Sequence, residues 1–150
     1  MTTPILPQAS RSLASLKINH AAIRVLDFDP TVAWFVDKLD FRLKQSVSVA
    51  GLTFEFLYPA GDDSFHFELI AGPGAAARPA HKDLHDSYNR SGWHHPGFSV
   101  DSVDAAVDEL KRRHVTIASE PHDVPANCLR VAFFADPWGD LFEVIQSLTQ

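Results

Sequence analysis

Hydrophobic and polar positions change period several times along the chain, and each change marks an element. KINHAAIRVLD (17–27) is rich in Ile and Val and closes on an Asp, which predicts a strand. In DPTVAWFVDKLD, Val32, Phe35, Val36 and Leu39 fall on one helical stripe. Asp29 is the expected N-cap there, with Pro30 at the first helical position. FRLKQSVSV and LTFEFLYPAG predict two strands with Gly51 near the bend. In DSFHFELIAGPG, Phe65, Phe67 and Leu69 alternate with Ser64, His66 and Glu68, the period of a strand. Residues 17–71 therefore read as a βαβββ module.

Residues 72–92, rich in Gly, Ala and Pro, keep no steady period and predict a connector, with one helical turn around Lys82 to Tyr88. The pattern then repeats over 93–147. WHHPGFSV predicts a strand. DSVDAAVDELKRRH predicts a helix capped by Asp101 or Ser102, with Val103, Val107 and Leu110 on one face and charges graded to suit the helix dipole. VTIASEP, NCLRVAFFAD and LFEVIQSL predict three further strands, DPWGD a turn before the last, and Glu120 to Asn127 a loop. The repeat has a fixed offset. His20 to His95, Val25 to Val100, Asp29 to Asp104 and Glu68 to Glu143 are each 75 positions, and each His precedes its Glu by 48.

Composition narrows the function classes. The chain has 150 residues, 45% hydrophobic and 21% charged, which suits one ordinary globular domain. A net charge of -6 argues against nucleic acid or an anionic membrane as partner. No apolar run approaches a membrane span, and the first 16 residues lack a signal-peptide core and read as a loose arm. Cys128 is the one cysteine, expected to be buried or half-buried, and a reducing cytoplasm is the simplest location.

Period-two alternation places candidate chemistry on one side of four strands. His20, Ala22 and Arg24 share a face, as do Ser64, His66 and Glu68; His95, Gly97 and Ser99; and Leu141, Glu143 and Ile145. The opposite faces are mostly apolar and should pack against the helices. By the same alternation His94 lies on the helix side or at the strand edge, away from His95. Two imidazoles and two carboxylates facing one concavity form a mixed nitrogen and oxygen ligand set, suited to a borderline divalent ion: Zn, Ni, Co, Fe or Mn. Ala22 and Gly97 are small and leave room beside such an ion.

The stretches NHAAIRV, HFELI, HHPGFSVDSVDAAVDEL and DPWGDLFEVIQ resemble the vicinal oxygen chelate superfamily, which includes glyoxalase I, over about residues 17–147. The resemblance implies an α+β fold of two paired βαβββ modules forming a cupped mixed sheet, with helices on the outer face. It implies His20, Glu68, His95 and Glu143 as metal ligands, a small substrate that chelates the metal through adjacent oxygens, and a homodimer. By likeness to glyoxalase I, the metal polarises the substrate and Glu143 or Glu68 moves a proton, giving a lyase or isomerase. Arg24 occupies the place of that enzyme's glutathione-carboxylate anchor, with a structural ion pair as the alternative. Gly72 stands where similar enzymes carry an asparagine, which counts against glutathione. Alternative readings within the superfamily are an iron-dependent dioxygenase of aromatic diols and a metal-free drug-binding module.

His66, two positions before Glu68, is a further candidate for an acid–base or ligand-supporting role. Trp93 and Ser99 are candidate substrate contacts. Trp138 fits either the cup or turn packing. Trp34 and Phe35 are expected in the core, Glu55 as a solvated strand residue, and the connector and the 120–127 loop as the rim of the pocket.

Overall fold

The computed structural model describes residues 16–149, so the N-terminal arm, Leu16 apart, lies outside the described residues. The elements run β1 (His20–Arg24), α1 (Phe28–Leu39), β2 (Arg42–Val49), β3 (Leu52–Tyr58), β4 (His66–Ala71), α2 (Leu84–Ser87), β5 (Gly97–Ser99), α3 (Val103–Arg112), β6 (Thr116–Val124), a 3-10 turn (Pro125–Asn127), β7 (Leu129–Ala135) and β8 (Leu141–Ser147). The fold is α+β, built from two βαβββ modules. Each module hydrogen-bonds as its own four-stranded sheet, in the orders β1-β4-β3-β2 and β5-β8-β7-β6, rather than joining one continuous sheet. No helix among the described residues is long and apolar enough to cross a membrane.

The repeat survives in the register. Helices α1 and α3 start 75 positions apart, and so do strands β4 and β8. In each module the first strand pairs parallel with the last, Ala22 opposite Glu68 and Gly97 opposite Glu143. The 120–127 loop is corrected: β6 continues to Val124, and only Pro125–Asn127 turns. Cys128 caps that turn at φ 54° and is exposed, not buried.

Both helices start a residue or more from a polar cap. In α1 the cap is Asp27, not Asp29, so Pro30 takes the third helical position. That is still in the first turn, where no N–H is required. In α3, Ser102 Oγ accepts from the Ala105 amide, and the Val103 amide donates to Gln146 Oε1 of β8 at 3.0 Å. The N-terminal turn of α3 is thus tied to the last strand.

The apolar faces of both sheets meet the helices in one core. Phe142 of β8 is fully buried and packs with Trp34 and Phe35 of α1, Phe67 of β4, Phe98 of β5 and Phe134 of β7, at centroid separations of 5.2–6.3 Å. The helical stripe is rotated slightly from the expected one. Thr31, Trp34 and Phe35 are buried, whereas Val36 is 38% exposed. Thr31 enters because its Oγ1 donates to the Asp27 carbonyl, which hides its polar atom and leaves the methyl to pack. Arg113 closes the far end, pairing with Asp40 at 2.8 Å and donating to the Lys38 carbonyl.

The DPWGD turn before β8 is built on a buried carboxylate. Asp136 Oδ1 accepts from the Trp138 and Asp140 amides at 2.9 and 2.8 Å, and Gly139 takes φ 90°. Burial, then the nearby Asp140 charge, push the Asp136 carboxyl up to about 6.

Two outcomes are expected. Phe142→Ala removes the ring that joins both modules and should cost about 3–5 kcal/mol in urea unfolding, a fall spread over both halves. Asp136 holds its proton more tightly folded than unfolded, so its stabilising contribution is full below about pH 4 and is lost as pH rises through about 6. Asp136→Asn keeps the acceptor oxygen without the charge. Relative to wild type it should gain up to about 3 kcal/mol as the pH is raised across that window, read as diverging melting temperatures.

Candidate functional site

The parallel pairing of first and last strands sets each His diagonally beside its Glu. In module one, His20 Nε2 lies 3.9 Å from Glu68 Oε2, with side chains 44% and 18% exposed. In module two, His95 Nε2 lies 3.2 Å from Glu143 Oε2, with side chains 24% and 16% exposed. Two ligands each about 2.1 Å from one ion and at right angles stand about 3.0 Å apart, so the second pair already has that spacing. The first pair is too far apart to hydrogen-bond.

The floor under each pair differs. Beneath His20 lies His66, its register partner, with rings stacked at 5.2 Å; Tyr58 stacks on the other side of His66 at 4.7 Å. His66 is buried, and its Nε2 has no hydrogen-bond partner among the described residues. Burial, then the charge of His20, push its imidazole below the ordinary range, so the ring is neutral near pH 7. Beneath His95 lies the edge of Phe133, at 4.9 Å and 86°. Gly97 gives Ile145 its space: a Cβ there would sit 2.7 Å from Ile145 Cδ1, and 3.4 Å, an ordinary contact, from Glu143 Oε2.

The four expected ligands do not share one concavity within a chain. Among the described residues no group of three or more His, Cys, Asp or Glu side chains gathers closely enough to hold one ion. One chain instead presents two separate pairs, because the phenylalanine core occupies the side on which the two sheets approach each other.

His94 departs from the expected placement. Strand β5 begins at Gly97, so neither His94 nor His95 obeys strand alternation. Their Nδ1 atoms lie 2.6 Å apart, and His94 Nε2 lies 2.8 Å from Ser87 Oγ on α2. Tyr88 stacks flat on His94 at 4.9 Å. Burial, then the charge of His95, hold the His94 imidazole below its ordinary range. The counterpart in module one is Asn19, whose Oδ1 lies 2.9 Å from His20 Nδ1. Neither Asn19 nor Ser87 stands out from composition. A signal for Asn19 and His94 does exist in the sequence: each directly precedes a candidate ligand, 75 positions apart.

The other candidates have defined surroundings. Arg24 donates to the carbonyls of Ile70, Gly72 and Pro73 at 2.9, 2.8 and 3.0 Å, so its fork clamps the chain leaving β4 rather than forming the alternative ion pair. Gly72 has φ 141°, and a Cβ there would meet Leu52 Cδ2 at 2.6 Å, so an asparagine at this place would be strained in this backbone. Ser99 is exposed on the face of Gly97. Trp93 is 100% exposed, and Trp138 packs on the core. Glu55 is 7% exposed rather than solvated, because it points to the α1 side of the sheet beside Phe28, Val32 and Leu43.

Comparison with known proteins agrees with this architecture. The family model described as the Glyoxalase/Bleomycin resistance protein/Dioxygenase superfamily matches residues 17–144. A probable chloroplastic lactoylglutathione lyase of Arabidopsis thaliana is 29% identical over 85% of this chain, which spans 35% of that longer protein. The human mitochondrial methylmalonyl-CoA epimerase is 27% identical, with 97% of this chain and 83% of that protein covered. Glyoxalase I from Zea mays superposes with a TM-score of 0.68 at 25% identity, covering 89% of this chain and 46% of that one.

Arg24→Lys should separate clamp from substrate anchor. A lysine cannot reproduce the fork across three carbonyls, so urea unfolding should show a loss of about 1–2 kcal/mol, with metal affinity unchanged.

Proposed function

Because the chain belongs to the Glyoxalase/Bleomycin resistance protein/Dioxygenase superfamily, we propose that it is a divalent-metal-dependent lyase or isomerase of glyoxalase type. Its substrate is small and offers two adjacent oxygens. The observation that carries this reading is the twin His–Glu pair, repeated at an offset of 75 with the same strand register. Polar residues that merely decorate a solvated sheet have no reason to keep both identity and register in two copies.

The donor chemistry fits a borderline divalent ion. His20, Glu68, His95 and Glu143 supply two nitrogens and two carboxylates. One chain brings these donors together only in pairs, so on this reading two copies complete the set: His20 and Glu68 from one, His95 and Glu143 from the other. Apolar side chains left exposed, Trp93, Ile18, Val47 and Val49 among them, support such a homodimer. The single cysteine is a free thiol, in keeping with the cytoplasm.

When bound, the ion supplies positive charge where a substrate oxygen becomes negative. Glu143 takes the proton from the hydroxyl-bearing carbon next to the carbonyl and returns it to the former carbonyl carbon, while the hydroxyl proton passes to the other oxygen, so the product is an isomer; Glu68 is the equivalent base by the repeat. Both carboxylates are mostly shielded from water, which favours proton transfer to the substrate over transfer to solvent. His66 holds His20 in place from beneath. Arg24 is committed to main-chain carbonyls, and Gly72 lacks a side chain, so neither favours glutathione as a substrate part.

Purified protein should carry about one Zn, Ni or Co per shared site, and His20→Ala and His95→Ala should each lose it. Co-refolding those two variants should restore one intact site per mixed dimer, as measured by elemental analysis. With a panel of small α-oxygenated carbonyl compounds in deuterium oxide, wild type should exchange the carbon-bound proton, and Glu143→Gln should lose about 100-fold or more of that rate. A protein that retains no metal under any loading condition, or that consumes dioxygen with iron and an aromatic diol, would overturn the reading.

A further inference from the structure

The connector reaches the candidate site through a short hydrogen-bonded chain whose direction can be worked out. Ser87 Oγ lies 2.5 Å from the Leu84 carbonyl oxygen, which can only accept, so the serine hydroxyl donates there. The same Oγ lies 2.8 Å from His94 Nε2 and must therefore accept from it. A neutral His94 has then used its one proton on Nε2. Its Nδ1 is left as an acceptor for the Nδ1–H of His95, 2.6 Å away. A neutral His95 with its proton on Nδ1 presents a bare lone pair at Nε2, 3.2 Å from Glu143 Oε2.

We propose that His94 is a positioning residue, held by Ser87, which fixes the proton of His95 on Nδ1 and leaves Nε2 free to bind a divalent cation together with Glu143. The inference rests on the metal-dependent reading above. At 3.2 Å the Nε2 and Oε2 atoms already stand at about the separation of two neighbouring ligands of one ion. Flat stacking on Tyr88 holds the His94 ring in the plane that both hydrogen bonds require. Module one repeats the device independently: Asn19 Oδ1 accepts from His20 Nδ1 at 2.9 Å, which leaves His20 Nε2 turned toward Glu68. The residue before each ligand histidine thus takes up its Nδ1 proton, by an amide in one copy and by a serine-held imidazole in the other. The functional reach of the connector extends beyond shaping a rim.

The test has two readouts. In metal-free full-length protein at pH 8, long-range proton–nitrogen NMR should show His95 protonated on Nδ1. In His94→Phe, which keeps the stacking surface but not the acceptor, the proton should move to Nε2. Zinc affinity, measured by competition with a chelator, should fall about ten- to a hundredfold in His94→Phe. His94→Asn, which copies the arrangement at Asn19, keeps an acceptor near Nδ1 and should recover most of that loss. Ser87→Ala should show a smaller loss. The proposal is overturned if wild-type His95 carries its proton on Nε2, or if His94→Phe binds zinc as tightly as wild type. A wild type that shows the Nδ1 proton yet binds no zinc defeats the metal reading, while the proton assignment stands.

Discussion

Two sheets that share one aromatic core must turn their other faces away from it, and the rest of the molecule follows from that. Phe142, Phe67, Phe98 and Phe35 lock the modules together on the helix side. Strand residues one position out of phase with them turn to the opposite faces of the sheets. His20 and Glu68 lie on that face of one sheet and Glu143 on that of the other, with His95, just ahead of β5, beside Glu143. The arrangement that stabilises the chain by burying rings is the same one that keeps its four candidate ligands in two separate pairs.

The pairs are copies of one plan with different supports. Register places a small residue opposite each glutamate, Ala22 in one case and Gly97 in the other. An acceptor precedes each histidine. Beneath the histidines the copies part: His66 and Tyr58 form a stacked floor in module one, while module two has Leu141 at the corresponding place and uses the edge of Phe133. The second half-site is the more enclosed and its nitrogen and oxygen the closer. The first is looser, its histidine open to solvent. On the proposed reading, the second pair is the preformed half and the first is the one a partner brings up to it.

Most of the architecture is legible in the sequence because strand and helix periods and a fixed offset are local properties. Both βαβββ modules, the turn in the connector and the face carrying His20, Glu68, Gly97 and Glu143 follow from them. What is not legible depends on where a period starts or stops. Strand alternation points His94 away from His95, but β5 begins three residues after His94, so its ring is free to swing toward its neighbour. Val36 fits the helical stripe, yet Thr31 is the residue covered, its hydroxyl satisfied within the helix by the Asp27 carbonyl. Alternation with Phe54 and Phe56 leaves the face of Glu55 open, and the side of the sheet it occupies proves to be closed by α1. That the two pairs stay apart has no trace in the sequence, since it depends on how one module docks on the other, and the period within a strand carries no information on that.

The separation of the pairs also bears on what holds a cation. A single exposed His–Glu pair offers two donors and competes poorly with water for a divalent ion, whereas four donors from two nearly rigid sheets do not have to be gathered by folding at each binding event. On the proposed reading, ion retention and association of two chains are therefore one linked equilibrium, each raising the apparent strength of the other by mass action. The tautomer set by Asn19 and by Ser87 with His94 serves the same end. Both lone pairs are aimed before any ion arrives, so the free energy of coordination is not spent on reorienting rings. A chain that displays Trp93 fully to water and a separate His–Glu pair on each sheet fits a site completed by contact.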